Sequence, residues 1–405
     1  MRKVDLLIVS YGMLPLPRPR SYQIAKLLKN IKSSFFIITS DYSGEKNLDF
    51  SLNGYFPCEG ENIYRVKDNS RTSFITRVLF QILPFLKEVP DTHWLWAWSV
   101  TAEARPLLKV IKPSAIVAFS RPETDLLIGV KLKKMFGVPL VVHFSDPWVA
   151  NPYREYSRLT GKINSALEAR VMSAADLILF TNEDQKELVM RKYPAPLRRK
   201  ARSIAHCFDE TLYAPVSNRA QKFTIRHIGN LYKQRTAEPF LEAVSLLIEH
   251  NPELRNEILV EFYGQLSDQA QKAIRESSLS DIVKMKGSVP YLERLNLMSS
   301  ADLLLLIDAD FRKNIFFPSK LVDYIGAKTK IMGITGTPGP SATVIRAYGG
   351  HVFRHDQVEG IKESLLELIK VRRPLEPNSE ERGKYYAGVV ARDFEREIHA
   401  IMPPA

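Results

Sequence analysis

The feature that most limits what this chain can fold into is a series of short, predominantly apolar runs separated by longer amphipathic stretches. In the first half these runs are "VDLLIVS" (4–10), "FFIIT" (35–39), "AIVAF" (115–119), "LVVHF" (140–144) and "DLILF" (176–180). In the second they are "KFTIRHIG" (222–229), "ILVEFYG" (258–264), "IVKMKG" (282–287), "DLLLLI" (302–307) and "KIMGIT" (330–335). A strand with one wet face alternates apolar and polar residues, whereas a strand covered on both faces is apolar throughout. Segments such as "RSYQIAKLLKN" (20–30) and "ETDLLIGVKLKKMFG" (123–137) supply the covering helices. The pattern predicts α/β architecture with Rossmann-like, doubly wound parallel sheets.

At 405 residues the chain exceeds one ordinary domain. The two halves echo each other, with "SAADLILF" (173–180) and "SSADLLLLI" (299–307) each coming after a helical stretch. The Pro-, Ser- and Asn-containing segment inside 204–223 marks the boundary. The expected domains are 1–213 and 214–380, facing a cleft, with 381–405 a final helix packing back toward the N-terminal domain. Ligands of such sheets bind beyond the carboxyl ends of the strands, where loops feed helix N-termini.

Two cysteines, Cys58 and Cys207, lie far apart, which predicts a reducing compartment and neither a disulfide scaffold nor a zinc site. "MRKVDLLIVSYG" reads as a first strand and not as a signal peptide, and no window of 18 apolar residues predicts a membrane span. The net charge of +12 is uneven: residues 1–213 hold 31 Lys and Arg against 21 Asp and Glu, residues 214–405 hold 26 against 24. An anionic partner of the first half is expected, set against a plain basic surface. "RTSFITRVLFQILPFLKEV" (71–89), with Arg71, Arg77 and Lys87, and "RKYPAPLRRKAR" (191–202) suit an anionic membrane surface. The alternative for them is a core helix and a solvated turn. No nucleic-acid-binding pattern is present. The expected location is cytoplasmic, with peripheral contact at the inner face of the cell membrane.

The segment after the first strand excludes several chemistries. "YGMLPLPRPRS" has one glycine, not the Gly-x-Gly-x-x-Gly of a dinucleotide site, and neither a Walker loop nor a Gly-x-Ser-x-Gly elbow occurs. What remains is basic residues at strand-to-helix turns. In "HIGNLYKQRTAEPFLEAV" (227–244) the chain leaves a strand at Gly229, runs through Asn230, Lys233 and Arg235, and starts a helix near Thr236. In "FFPSK", after Pro318, Ser319 is expected to cap a helix, and Lys320 then places a cation at the positive end of the dipole. Backbone N–H groups, a bidentate arginine and this lysine at one sheet end suit a diphosphate. Asp323 is placed to accept from a ribose hydroxyl, or is an ordinary first-turn acid. "DAD" (308–310) carries hard carboxylates suited to Mg²⁺ or Mn²⁺.

These segments carry a resemblance. "GNLYKQRTAEPFLEAV", "YGQL", "VKMKGSVPYLERLNLMSSADLLLLI" and "FFPSKLVDYIGAKTKIMGI" resemble the donor-binding half of GT-B glycosyltransferases of the family-4-like group. "HFSDPWVANPY", "SAADLILFTNE" and "IAHCFDETLY" resemble the acceptor half and linker. The resemblance implies two Rossmann-like domains, a nucleotide-sugar donor held mainly by the second, and usually retention of anomeric configuration. Gly229, Arg235 and Lys320 match the residues that hold the donor diphosphate, and Asp323 matches the acid at the nucleotide ribose. Ile315 stands where many members carry the first of two glutamates. "LPLPRPRS" replaces a frequent Gly-Gly pair and turns Arg18 and Arg20 toward the cleft.

His143 and Asp146 end a strand on the acceptor side with Trp148 close by, and His143 is expected to exchange a proton with an acceptor hydroxyl. A retaining transferase needs no dedicated base, so Arg235 and Lys320 would do most of the catalysis by stabilising the leaving diphosphate. In the other glycosyltransferase fold the Asp-x-Asp motif lies near the middle of one main domain; here it falls late, so no essential metal or other cofactor is expected. The predicted activity is sugar transfer to a lipid-linked or polysaccharide acceptor in cell-surface glycan biosynthesis, lipopolysaccharide or capsule. The rivals are a sugar-nucleotide epimerase or hydrolase of the same fold and a non-enzymatic two-lobed sugar-binding protein.

Overall fold

The computed structural model describes residues 2–42, 44–68, 74–108, 110–215, 221–232, 234–372 and 377–403. The chain divides into two compact units. One comprises Met1–His206 with Gly388–Ala405, the other Cys207–Ala387. Residues 207–213 thus belong with the second unit.

The first unit holds a parallel sheet of β1 (Arg2–Val9), β2 (Phe35–Ser40), β3 (Ile63–Val66), β4 (Ile111–Phe119), β5 (Leu140–Phe144), β6 (Leu177–Phe180) and β7 (Ala201–Ser203), in the order β3-β2-β1-β4-β5-β6-β7. The order reverses at β1, which pairs Val9 with Ile38 on one side and with Ala118 on the other. The central strands form the core with Leu7, Ile116, Val142 and Ile178 fully buried. Each such side chain contributes roughly 1.5–3 kcal/mol on burial. Helix Pro19–Asn30 starts with a proline whose φ is preset for the first turn. Helix Thr124–Phe136 ends at Gly137 in the left-handed conformation, φ 70°. In helix Arg158–Ala174, Ser157 accepts from Thr160 N at the cap.

The second unit holds β8 (Phe223–Ile228), β9 (Ile258–Tyr263), β10 (Val283–Gly287), β11 (Leu303–Ile307), β12 (Lys330–Ile334) and β13 (His351–Phe353), in the order β10-β9-β8-β11-β12-β13, also parallel. All of β11 is buried, as its unbroken leucine run requires. The doubly wound architecture expected from the apolar runs is what forms. Three strands lie outside those runs: β3, β7 and β13 are short edge strands with half-exposed positions, so they carry no continuous apolar signal.

The segment 381–405, expected as one final helix, instead takes in parts of two, Ser379–Gly383 and Ala387–His399. Between them the chain pairs with Phe208, whose N–H donates to Tyr385 O (3.0 Å) and whose carbonyl accepts from Ala387 N (2.8 Å). The last helix belongs to the first unit. Its Glu395 accepts from Lys32 N, Ser33 N and Ser33 Oγ (2.9, 2.7 and 2.6 Å), and buried Phe394 stacks over Phe119. Among the described residues no helix is long and apolar enough to cross a membrane.

Candidate active site

In the second unit β8 runs out at Gly229, whose φ of 146° is a conformation L side chains rarely adopt. Helix Ser319–Gly326 is pinned beside it by Tyr324, a fully buried residue. The Tyr324 hydroxyl accepts from Ile228 N (2.9 Å) and lies 3.3 Å from the Leu305 carbonyl. Lys320, four residues earlier on the same helix face, therefore leans over Gly229. A Cβ at Gly229 would stand 3.1 Å from Lys320 Cδ and 3.2 Å from Nζ.

His227, on β8, fixes the lysine from below. It is fully buried, its Nδ1 lies 2.9 Å from the Leu305 carbonyl, and its Nε2 lies 3.4 Å from Lys320 Nζ. A carbonyl only accepts, so the Nδ1 carries the proton and Nε2 is left to accept from the ammonium. Burial, and next the Lys320 charge, push His227 well below its usual pKa, which keeps it in that neutral form. Burial also lowers Lys320 to about 7; the Arg235 guanidinium adds to this and Asp308 opposes it. Two cations thus stand together at the end of β8 and β11, which raises the free energy of the site until an anion enters.

The other expected donor residues take varied positions. Arg235 packs its guanidinium over the Tyr232 ring at 4.9 Å. Asn230 accepts from Gln265 N (2.9 Å) and so shapes the loop. Lys233 lies outside the described residues. The helix after this loop begins at Glu238 rather than near Thr236, whose Oγ1 accepts from Glu238 N (3.2 Å).

Ser319 is not the cap of its helix. Pro318 occupies that extended position (φ −67°, ψ 132°), and Ser319 is the first helical residue with no capping bond. Asp323 is buried, with Tyr291 Oη donating to its Oδ1 (2.9 Å) and Tyr213 Oη donating to its backbone carbonyl (2.9 Å). Burial, then the nearby Asp323 charge, drive both phenols well above their usual range. Ile315 is buried.

Sequence reasoning passed over Asp308 as anything but a metal ligand. It is buried at the end of β11, its Oδ2 accepting from Asn314 Nδ2 (2.9 Å) and Thr335 Oγ1 (3.0 Å), while Asp310 is 68% exposed at its side chain. Among the described residues no three His, Cys, Asp or Glu stand close enough to hold a metal. His227 was also missed. A single histidine in a buried strand carries no signal unless the lysine that reaches it from a distant helix is known.

In the first unit Arg20 and His143 meet. Arg20 Nη2 donates to the His143 carbonyl (3.0 Å) and lies 2.9 Å from His143 Nδ1, while the guanidinium sits 4.8 Å from the Phe119 ring centre. Burial lowers Arg20 to about 9, against the raising fields of Asp146 and Asp125. Burial and the Arg20 charge hold His143 well below 6.5. That removes the near-neutral titration expected of it, and its Nδ1 is already taken.

Asp146 pairs with Arg121, with Oδ2 2.9 Å from Nε, and Arg18 pairs with Glu45 (3.1 Å). Trp148 is fully buried and donates to Asn164 Oδ1 (2.9 Å), so it belongs to the core and not to an acceptor surface.

No protein-family model and no curated protein sequence matches the chain. Solved structures do. The sucrose-phosphate synthase of Thermosynechococcus elongatus is similar at a TM-score of 0.68 and 13% identity, over 98% of each chain. The Anabaena protein HepE, solved with UDP and with UDP-glucose, is similar at 0.65 and 12%, over 98% of this chain and 100% of its own. The lipopolysaccharide outer core galactosyltransferase WaaB is similar at 0.59 and 11%, over 98% and 99%. The likeness spans both units in each case, and the chain has the two-domain GT-B fold.

Proposed function

We propose that the protein is a glycosyltransferase that moves a sugar from a nucleotide-sugar donor to a lipid-linked or polysaccharide acceptor, with retention. The observation that carries this is Lys320 held over Gly229 by His227, with Arg235 beside it. Such a cation pair is unfavourable alone and favourable around a diphosphate. The fold is shared with a protein solved in complex with UDP-glucose, which supports the same donor class here.

In this reading the donor diphosphate lies across Gly229, where a side chain would block it. Lys320 and Arg235 neutralise the charge that grows on the leaving phosphate oxygen as the glycosidic bond breaks. The acceptor hydroxyl oxygen bonds to the anomeric carbon on the face the phosphate leaves, and the leaving phosphate oxygen takes its proton, so no protein base is needed. His227 keeps Lys320 aimed. Asp308 and Asp310 do not form a chelate, one being buried in hydrogen bonds and the other exposed, which supports catalysis without a metal.

A thermal-shift screen against UDP, GDP, dTDP and CMP sugars tests the donor class, because a ligand of the native state raises its melting temperature. Stabilisation by one of them and turnover in EDTA are the expected results. Near-parental turnover in both Arg235→Ala and Lys320→Ala would sink the assignment.

A membrane-borne acceptor is supported by the segment 71–89. Arg71 and the side chain of Arg77 lie outside the described residues, but helix Phe74–Ile82 exposes Phe74 (76%) and Ile82 (68%), and Trp98 is 75% exposed. The segment 191–202 fits less well. Lys192 pairs with Glu168, Arg202 with Glu397, and Lys200 donates to the Ala175 carbonyl. Sedimentation with anionic and neutral vesicles tests the contact, and equal binding to both would remove its electrostatic basis.

A further inference from the structure

Helix Ser319–Gly326, which carries Lys320 at its second position, is poorly supported at its own start. It is eight residues long, has no side-chain cap and no acid in its first turn, and sets the lysine against its dipole. Tyr324 fixes one point of it, against β8 and β11. One anchored point leaves a short rod free to tilt. From Tyr324 to Lys320 is about 6 Å along the axis, so a tilt of about 10° around that point swings the lysine by about 1 Å. A misplacement of about 1 Å at a reacting centre costs up to about a hundredfold in rate. What holds the far end of this helix therefore decides where the ammonium points.

The far end is gripped by side chains that all belong to the second unit. A helix leaves its last carbonyls short of partners. Here Tyr213 Oη donates to the Asp323 carbonyl (2.9 Å), and Tyr348 Oη and Arg382 Nε both reach the Ile325 carbonyl (3.3 Å each). Arg382 Nη2 donates to the Gly326 carbonyl (3.4 Å). Gly326 is what lets Tyr213 in, since a Cβ there would run into the Tyr213 hydroxyl. Arg382 is buried, with its guanidinium 4.7 Å from the Phe208 ring centre and 4.8 Å from that of Tyr386. Glu210 lies 3.6 Å from it and is itself 58% exposed, which makes a weak ion pair. A hydrophobic side chain would fill the same space with less desolvation. What the guanidinium adds is donors for two carbonyls and a cation at the helix end where the dipole favours one.

We propose that Arg382 and Tyr213 are positioning residues for Lys320: they hold the C-terminal end of its helix and so keep the ammonium over Gly229. Neither touches the groups that face Lys320 itself, which are His227, Arg235 and Asp308. Calling the aimed site a nucleotide site rests on the glycosyltransferase reading; the aiming of Lys320 does not.

A double-mutant cycle on the full chain tests this, with two readouts taken well below the melting temperature of every variant or on the melting itself. The first is calorimetric affinity for the tightest binder among UDP, GDP and dTDP. Arg382→Met should weaken it at least about tenfold, and Arg382→Lys, which keeps a cation at the helix end, should recover part of the loss. The double variant Arg382→Met, Lys320→Met should match Lys320→Met alone within about twofold, because a lysine that is absent has no aim to lose. Losses that multiply instead would give Arg382 a purely structural role and overturn the proposal. The second readout needs no nucleotide. At pH 7 the rise in melting temperature caused by Lys320→Met should shrink by at least about half in the Arg382→Met background, because a lysine free to swing outward escapes its burial. An equal rise in both backgrounds overturns the aiming of Lys320. Tyr213→Phe removes one hydroxyl, should show the same non-additivity at smaller size in both readouts, and decides the matter should Arg382→Met fail to fold. A parent chain that binds no nucleotide, with the melting cycle still non-additive, would refute the donor reading and leave the positioning role standing.

Discussion

Lys320→Met should make the empty protein more stable while destroying its use. Lys320 falls from 10.5 in the unfolded chain to about 7 in the folded one, chiefly by burial. At roughly 1.4 kcal/mol per pH unit this is a cost of about 4–5 kcal/mol for holding the ammonium in place. The side chain is only half-buried, so solvent screening reduces the figure, to about 2 kcal/mol at pH 7. The folded-state pKa is the lower of the two. The unfolded chain therefore binds the extra proton between pH 7 and 10.5, and stability rises with pH across that window. The cost is present in full below pH 7 and gone by about 10.5. Methionine fills a similar volume without the charge. For a unit of this size, differential scanning calorimetry without nucleotide should show Lys320→Met melting about 4–8 °C higher at pH 7, with roughly half that gain at pH 9. A variant no more stable than the parent, or a gain equal at both pH values, would refute the reasoning.

Nucleotide affinity should carry the same signature. Binding a diphosphate raises the Lys320 pKa, so the parent chain takes up a proton above pH 7 and its affinity falls by up to about tenfold per pH unit; Lys320→Met should show a flat profile by calorimetry. Gly229→Ala places a methyl against Lys320 in a backbone conformation unsuited to alanine. Nucleotide affinity should drop at least about tenfold, or roughly 1.4 kcal/mol, with the circular dichroism unchanged; unaltered affinity would show that nothing lies across that backbone. His227→Ala removes the acceptor that aims Lys320, at a cost of about 1–2 kcal/mol in kcat/KM. His227→Gln keeps a polar group there and should recover part of it, whereas equal loss in both would mean that His227 serves the fold alone.

The central strands and the two basic turns were legible because each depends on a local pattern. An unbroken run such as Leu303–Ile307 has one explanation, burial on both faces. A lysine at a helix start conflicts with the dipole and so stands out in the text of the sequence. What was not legible depends on contacts far apart in sequence. Ser319 looked like a cap because serines cap helices, but Pro318 supplies the extended residue first. His227 and Lys320 are 93 residues apart. Arg18 and Arg20 look equivalent as text, yet one precedes the helix and pairs with Glu45, while the other turns inward to His143. Trp148 comes after a strand end as a ligand-facing residue would, but its indole finds Asn164 in the core.

The return of the final helix to the first unit sets an order of completion during synthesis. The second unit is continuous, Cys207–Ala387, and has every strand it needs once that span has left the ribosome. The first unit begins earlier but stays unfinished, because Lys32 and Ser33 keep their backbone donors waiting for Glu395 and Phe119 waits for Phe394. The half that is translated first is thus the half that is closed last, and a chain truncated and released at residue 387 should hold a finished second unit and an open first one.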